Sequence, residues 1–163
     1  MNSDQEAKFV DFVLSGSPQL LTSAWFICGD ALQAEELVQN ALEKVYLAWR
    51  RIEPGRELAY ARRTMVHSHI DTRRHRAREV LTDRVPDVGG SGPTEDTVLL
   101  VRALQDLTVR ERQIVVLRYY ADLPEAEVAD LLGVSVGTVK STASRGLAHL
   151  RDRLALEGES HVT

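Results

Sequence analysis

The 163-residue sequence predicts an all-α fold: two small helical domains joined by a flexible linker. Three observations carry that expectation. Apolar residues on both sides of the middle recur at three- and four-residue intervals, and no stretch alternates apolar and polar residues with period two. Residues 85–94 (VPDVGGSGPT) collect Pro, Gly and Ser with little to bury, which reads as a linker. The domains are therefore placed at 1–80 and 95–163 with the linker at 81–94, each domain small but feasible when helical.

Each element has its own signal. Phe9, Val10, Phe12 and Val13 predict a first short amphipathic helix, and Leu20, Leu21, Ala24, Trp25 and Ile27 a second that stops near Gly29. Between them Gly16, Ser17 and Pro18 read as a short connection. Leu37, Val38, Ala41, Leu42, Val45 and Trp49 give the stripe of a third helix starting after Asp30. Glu53, Pro54 and Gly55 make a turn, and a long helix runs from about Leu58 into a run of arginines. After the linker, Thr94 can cap a helix reaching about Leu107, and Thr108 with Glu111 has the form of a capping box. Pro124 suits a helix start, Gly133 a stop, and Ser135 the next cap.

Composition excludes several classes. The hydrophobic fraction of 44% and charged fraction of 27% are ordinary for a globular chain. The longest apolar runs, such as Val98 to Val101, are far too short to cross a bilayer. Residues 1–6 have neither a basic start nor an apolar core, so no signal peptide is expected. One cysteine, Cys28, can form no internal disulfide and reads as a small buried hydrophobe. His67 and His69 lie two apart, on different helix faces, with no Cys or Glu at ligand spacing, so neither a metal nor another cofactor is expected. A cytoplasmic protein without membrane insertion is the expectation.

The net charge of −4 hides a segregation. Arg62, Arg63, Arg73, Arg74, Arg76 and Arg78 share a stretch with a single acid, Asp71. Asp30, Glu35, Glu36 and Glu43 share another with no basic residue. One face for an anion and another for a different partner follow from this.

The motif with most content is residues 124–140, PEAEVADLLGVSVGTVK, read as a helix-turn-helix. Ala129 is small where two helices approach, Gly133 supplies a left-handed turn, and Val128, Leu132, Val134 and Val139 close a core between them. Val136, Val139, Ala143, Leu147, Leu150 and Leu154 form the expected buried stripe of the second helix. Lys140, Ser141, Ser144 and Arg145 fall on the opposite face, where donors of this kind meet base edges and phosphates in a major groove.

With these residues in view, the chain resembles the extracytoplasmic-function (ECF) sigma factors, from about Phe9 to Leu154 and in an actinobacterial form. Residues 34–42 (AEELVQNAL) are similar to the region 2 helix that binds the polymerase clamp, and 59–63 (AYARR) and 70–74 (IDTRR) to the −10 reading segment. Residues 107–113 (LTVRERQ) and 137–141 (GTVKS) are similar to region 4, which reads the −35 element. The resemblance implies that Glu35, Glu36, Gln39 and Asn40 bind core polymerase. It implies that Arg62, Arg63, His67, Arg73, Arg74 and Arg76 contact −10 DNA, and that residues 52–57 pocket a base flipped from that element. It implies that Thr138, Lys140, Ser141, Ser144 and Arg145 contact −35 DNA. The implied partners are RNA polymerase core, through its clamp and flap regions, promoter DNA, and an anti-sigma protein using the same surfaces.

Two other classes compete. A response-regulator-type activator would share the helix-turn-helix and bind paired half-sites as a dimer, but the α/β receiver such proteins carry has no strand pattern here. An enzyme would need a nucleophile such as Ser17, which has no positioned base or arginine cluster beside it.

Overall fold

The computed structural model describes residues 1–75 and 94–162, with side chains at 1–71 and 94–159. The linker expected at 81–94, Thr94 apart, and Arg76 therefore lie outside the described residues. Seven α-helices are described: α1 (Ser3–Cys28), α2 (Ala31–Ala48), α3 (Glu57–His75), α4 (Glu95–Gln105), α5 (Val109–Val115), α6 (Glu125–Leu132) and α7 (Val136–Val162). Among the described residues there is no strand, as the all-α reading expected. The chain divides into two compact units, one made by Met1–Ala24 with α2 and α3, the other by Trp25–Gly29 with α4 to α7.

In the first unit, α2 starts where Asp30 caps it, its carboxylate accepting from the Leu32 N–H at 3.0 Å. Ala34, Ala41 and Ala48 recur every seven residues on its buried side, beside Leu37, Val38 and Val45. Small residues in one stripe let helices approach closely, and Ala61, Met65 and Val66 of α3 complete this core. Phe9 and Phe12 of α1 meet aromatic rings at the far end of α2. The Phe9 ring stands edge-on to Tyr46 at 5.2 Å and to Trp49 at 5.4 Å between centroids.

The two helices expected before Gly29 are one. Pro18 sits inside α1 rather than between two helices. Its ring withdraws the donor that the Leu14 carbonyl would use, but Leu14 and Pro18 both face solvent, where water can satisfy that oxygen. Gly16, on the other side, is buried, and a Cβ there would stand 3.4 Å from Phe12 and 3.7 Å from Leu58, so packing holds the helix together where propensity would end it.

In the second unit, Thr94 and Thr108 cap α4 and α5 as the sequence predicts. Thr108 Oγ1 accepts from the Glu111 N–H at 3.1 Å, and Glu111 Oε1 accepts from the Thr108 N–H at 3.0 Å. Ile114 and Leu117 are fully buried. The helix does not stay regular, however: Val116–Tyr120 widen into a π-turn, closed by Ala121 N–H donating to Val116 O at 3.0 Å. Asp122 follows with φ 56°, a left-handed conformation that Asp tolerates better than most side chains.

Candidate functional site

The helix-turn-helix forms from α6, a turn at Gly133 and the start of α7. Gly133 has φ 67°, so the left-handed turn is real. The turn closes through Val134 N–H donating to Ala129 O at 3.0 Å. Ser135 Oγ then accepts from the Thr138 N–H at 3.0 Å and caps α7. Val128 and Val139 are buried completely between the helices. Thr138, Lys140, Ser141, Ser144 and Arg145 are all exposed on one side of α7. Arg145 donates from Nη2 to Thr142 Oγ1 at 3.3 Å, which steadies its guanidinium near the helix.

The buried stripe of α7 is narrower than expected. Val136 is 40% exposed and Leu154 37% exposed, and Leu147 is half-buried. Val139, Ala143 and Leu150 are buried. So is Gly146, whose Cα faces Val115 so closely that a Cβ there would stand 2.8 Å from Val115 Cγ2. A second tie joins α5 to α7. The exposed His149 ring, through Nδ1, lies 3.0 Å from Oε2 of the buried Glu111. Burial alone would raise the Glu111 carboxyl. The hydrogen bonds from Thr108 and from His149 outweigh it and hold the carboxyl below the ordinary carboxylate range.

The first unit carries a different face. Glu36 and Gln39 project from α2 into solvent and Glu35 is half-buried. Asn40 departs from the expected set: it is half-buried and donates from Nδ2 to Ser68 Oγ of α3 at 2.8 Å, so its amide is committed within the unit. Beside Glu35 and Gln39 runs a groove of about 650 Å³ between α1 and α2, floored by Phe9, Val13, Leu21, Val38, Leu42 and Tyr46. Its acidic edge is Glu35 and Glu43, and Leu47 next to it is 78% exposed. The sequence places Phe9, Val13 and Leu42 on helical stripes but does not reveal this groove. The available signal is that α1 and α2 carry more apolar positions than one shared seam can cover.

One member of the arginine face expected on α3 is turned inward. Arg63 and His67 are exposed, whereas Arg62 is only 6% exposed and turned into the unit, on the side of Ala61, Met65 and Val66. Position 62 falls one turn before Met65 and Val66, so the helix period carries it inward with them. Of Arg73 and Arg74 the backbone alone is described, in the last turns of α3. The segment before α3 turns tightly at Pro54 and Gly55, with the Gly55 N–H donating to Glu57 Oε2 at 3.0 Å. Among the described residues no cluster of three His, Cys, Asp or Glu side chains could hold a metal ion, and no helix is long and apolar enough to cross a membrane.

With an acidic, grooved helix face in one unit and a helix-turn-helix in the next, the chain is of the class of sigma-70-type initiation factors. Residues 12–79 match the family model for sigma-70 region 2, and residues 97–150 that for sigma-70 region 4. The chain is 37% identical over 152 residues to the RNA polymerase sigma-E factor of Streptomyces coelicolor, covering 90% of this chain and 86% of that protein. It is 33% identical over 141 residues to the ECF RNA polymerase sigma factor SigL of Mycobacterium tuberculosis, covering 77% and 76%. In fold it is similar to the sigma factor RpoE solved with the anti-sigma factor NepR from Bartonella quintana. That match has a TM-score of 0.77 at 22% identity, over 91% of this chain and 97% of that one. CnrH, solved with the cytosolic domain of CnrY, gives a TM-score of 0.67 at 20% identity, over 93% and 90%. The chain belongs to the ECF sigma factors, of actinobacterial type.

Proposed function

We propose that the two faces divide the work of an alternative sigma factor: α2 and its groove hold RNA polymerase core, while α3 and α7 read the −10 and −35 elements of the promoter. The observation that carries this is the presence of both sigma-70 regions, in order, in one chain. A region 2 match over residues 12–79 occupies the place where a response-regulator activator would carry its receiver, which disfavours that reading. Glu35, Glu36 and Gln39 make the polar contacts to core, and the groove at Phe9, Val13 and Leu42 takes an apolar side of the same partner. Asn40 acts indirectly, by joining α2 to α3 through Ser68. Arg63 and His67, with Arg73, Arg74 and Arg76, present −10 contacts. Thr138, Lys140, Ser141, Ser144 and Arg145 present −35 contacts. The division into 1–80, 81–94 and 95–163 belongs to this reading.

The chain performs no covalent chemistry of its own; nucleotide addition is the polymerase's, and the place of work is the cytoplasm. One fold neighbour was solved with an anti-sigma factor, which supports an anti-sigma protein as a competitor for the α1–α2 groove. The test is reconstitution. Full-length chain mixed with Streptomyces core polymerase should co-elute as a holoenzyme and select promoters from a library randomised at both hexamers. Co-elution without selection, or selection without core, would overturn it.

A further inference from the structure

Glu125 is the first residue of α6, and its Oε2 is shielded from solvent with no hydrogen-bond partner in the protein. It lines a pocket of about 230 Å³ together with Arg118, Tyr119, Lys140, Ser144 and Leu147. A carboxylate oxygen held away from water and left unpaired gains from any cation that reaches it. Arg118 is already engaged: Nη1 donates to Leu123 O, and the guanidinium stands 5.7 Å from the centre of the Tyr119 ring. Lys140 is not so committed. It is exposed and lines the same pocket, and an ammonium on four methylenes can swing between Glu125 and a bound duplex.

We infer that Glu125 is a specificity-determining residue of the promoter reader, because its carboxylate competes with DNA for the Lys140 ammonium. This rests on the reading of α7 as the −35 helix. On DNA of arbitrary sequence, Lys140 can gain only a phosphate contact, which salt screens, and its ammonium swings to Glu125 instead. On a matching sequence a base edge, such as guanine O6 and N7, offers hydrogen bonds as well, and Lys140 leaves the pocket for them. Glu125 thus withholds one positive charge from wrong sites and releases it at right ones. Its acid at the mouth of a DNA-reading surface then has a use, where simple electrostatics would count it as a defect.

The test uses holoenzyme reconstituted with full-length chain and Streptomyces core polymerase, comparing wild type, Glu125→Gln, Lys140→Ala and the double variant. The probes are a duplex library randomised in the −35 hexamer and a random-sequence duplex of equal length. Thermal melts of each chain establish that folding is unchanged. Glu125→Gln should tighten binding to the random duplex roughly threefold over a fourfold range of salt and steepen its salt slope by about 0.9, equivalent to one more neutralised phosphate. It should blunt −35 selection correspondingly. In the Lys140→Ala background the same substitution should do neither. Equal effects with and without Lys140 would show plain repulsion by Glu125 and overturn the proposal, as would no effect at all. If wild-type holoenzyme shows −10 but no −35 selection, it is the underlying reading of α7 that fails.

Discussion

Arg145 places its guanidinium among the exposed Thr138, Lys140, Ser141 and Ser144 of α7. An Arg–guanine pair in a major groove is worth about 1–3 kcal/mol of discrimination. Arg145→Ala should therefore reduce initiation at selected promoters roughly tenfold or more, in run-off assays, while holoenzyme assembly is unchanged. Normal transcription would remove Arg145 from the readers. Glu111 supports a prediction of a different kind. A carboxyl with a depressed folded pKa contributes stability above its unfolded value, near 4.5, and that stability disappears as pH falls through the folded value. The melting temperature should drop below about pH 4.5, and Glu111→Gln should flatten that drop because Gln keeps the capping box without the charge. Thermal melts across that range check it, and an unchanged acid limb in the variant would show that other carboxyls dominate. Exposure was legible where it followed from helix period, as at Lys140 and Ser144. It was not legible at Arg62 and Asn40, whose polar type argues for solvent while their register points into the unit.

Two glycines in one helix should respond with opposite signs. Gly146 lies where α7 crosses α5, and a Cβ would meet Val115 Cγ2 at 2.8 Å and Glu111 Cβ at 3.3 Å. Valine is stiff at χ1 and this one is buried, so it cannot easily give way. Overpacking of about 1–3 kcal/mol then outweighs the helix propensity of about 1 kcal/mol that alanine adds. Gly146→Ala should lower the melting temperature. Gly158→Ala, with nothing within 4 Å, should hold or raise it. A stabilising Gly146→Ala would mean that the crossing is looser than these distances imply. The elements themselves show why the sequence was informative in some places and misleading in others. Caps at Thr94, Thr108 and Ser135 are local chemistry, written in one or two side chains, and they appear where expected, while Asp30 caps the helix expected to start after it. Pro18 inside α1 and the π-turn at Val116–Tyr120 are settled by packing over longer distances, which local propensity does not encode.

At the scale of the whole chain, the order of the two sigma regions was legible because each carries its own sequence pattern: an acid-lined apolar helix, then a helix-turn-helix. The α1–α2 groove was not, since a groove is a property of two helices and of what they leave uncovered. The division of labour predicts a double dissociation. Glu36→Lys with Gln39→Lys reverses the charge of the polar strip beside that groove without touching the buried alanines of α2. A basic partner matched to the acidic edge would then meet like charge, which costs several kcal/mol, roughly a hundredfold or more in affinity. Core association should fail on gel filtration while the chain melts normally. Lys140→Ala with Arg145→Ala should do the reverse, leaving holoenzyme intact but weakening promoter binding. It should also make the salt dependence of that binding shallower, by about 0.9 in slope for each phosphate that is no longer neutralised. Because the two sets of side chains lie on different units, neither variant should reproduce the other's defect. If both fail to bind core to the same degree, α7 is part of the polymerase interface, and the assignment of one face to polymerase and the other to DNA is wrong.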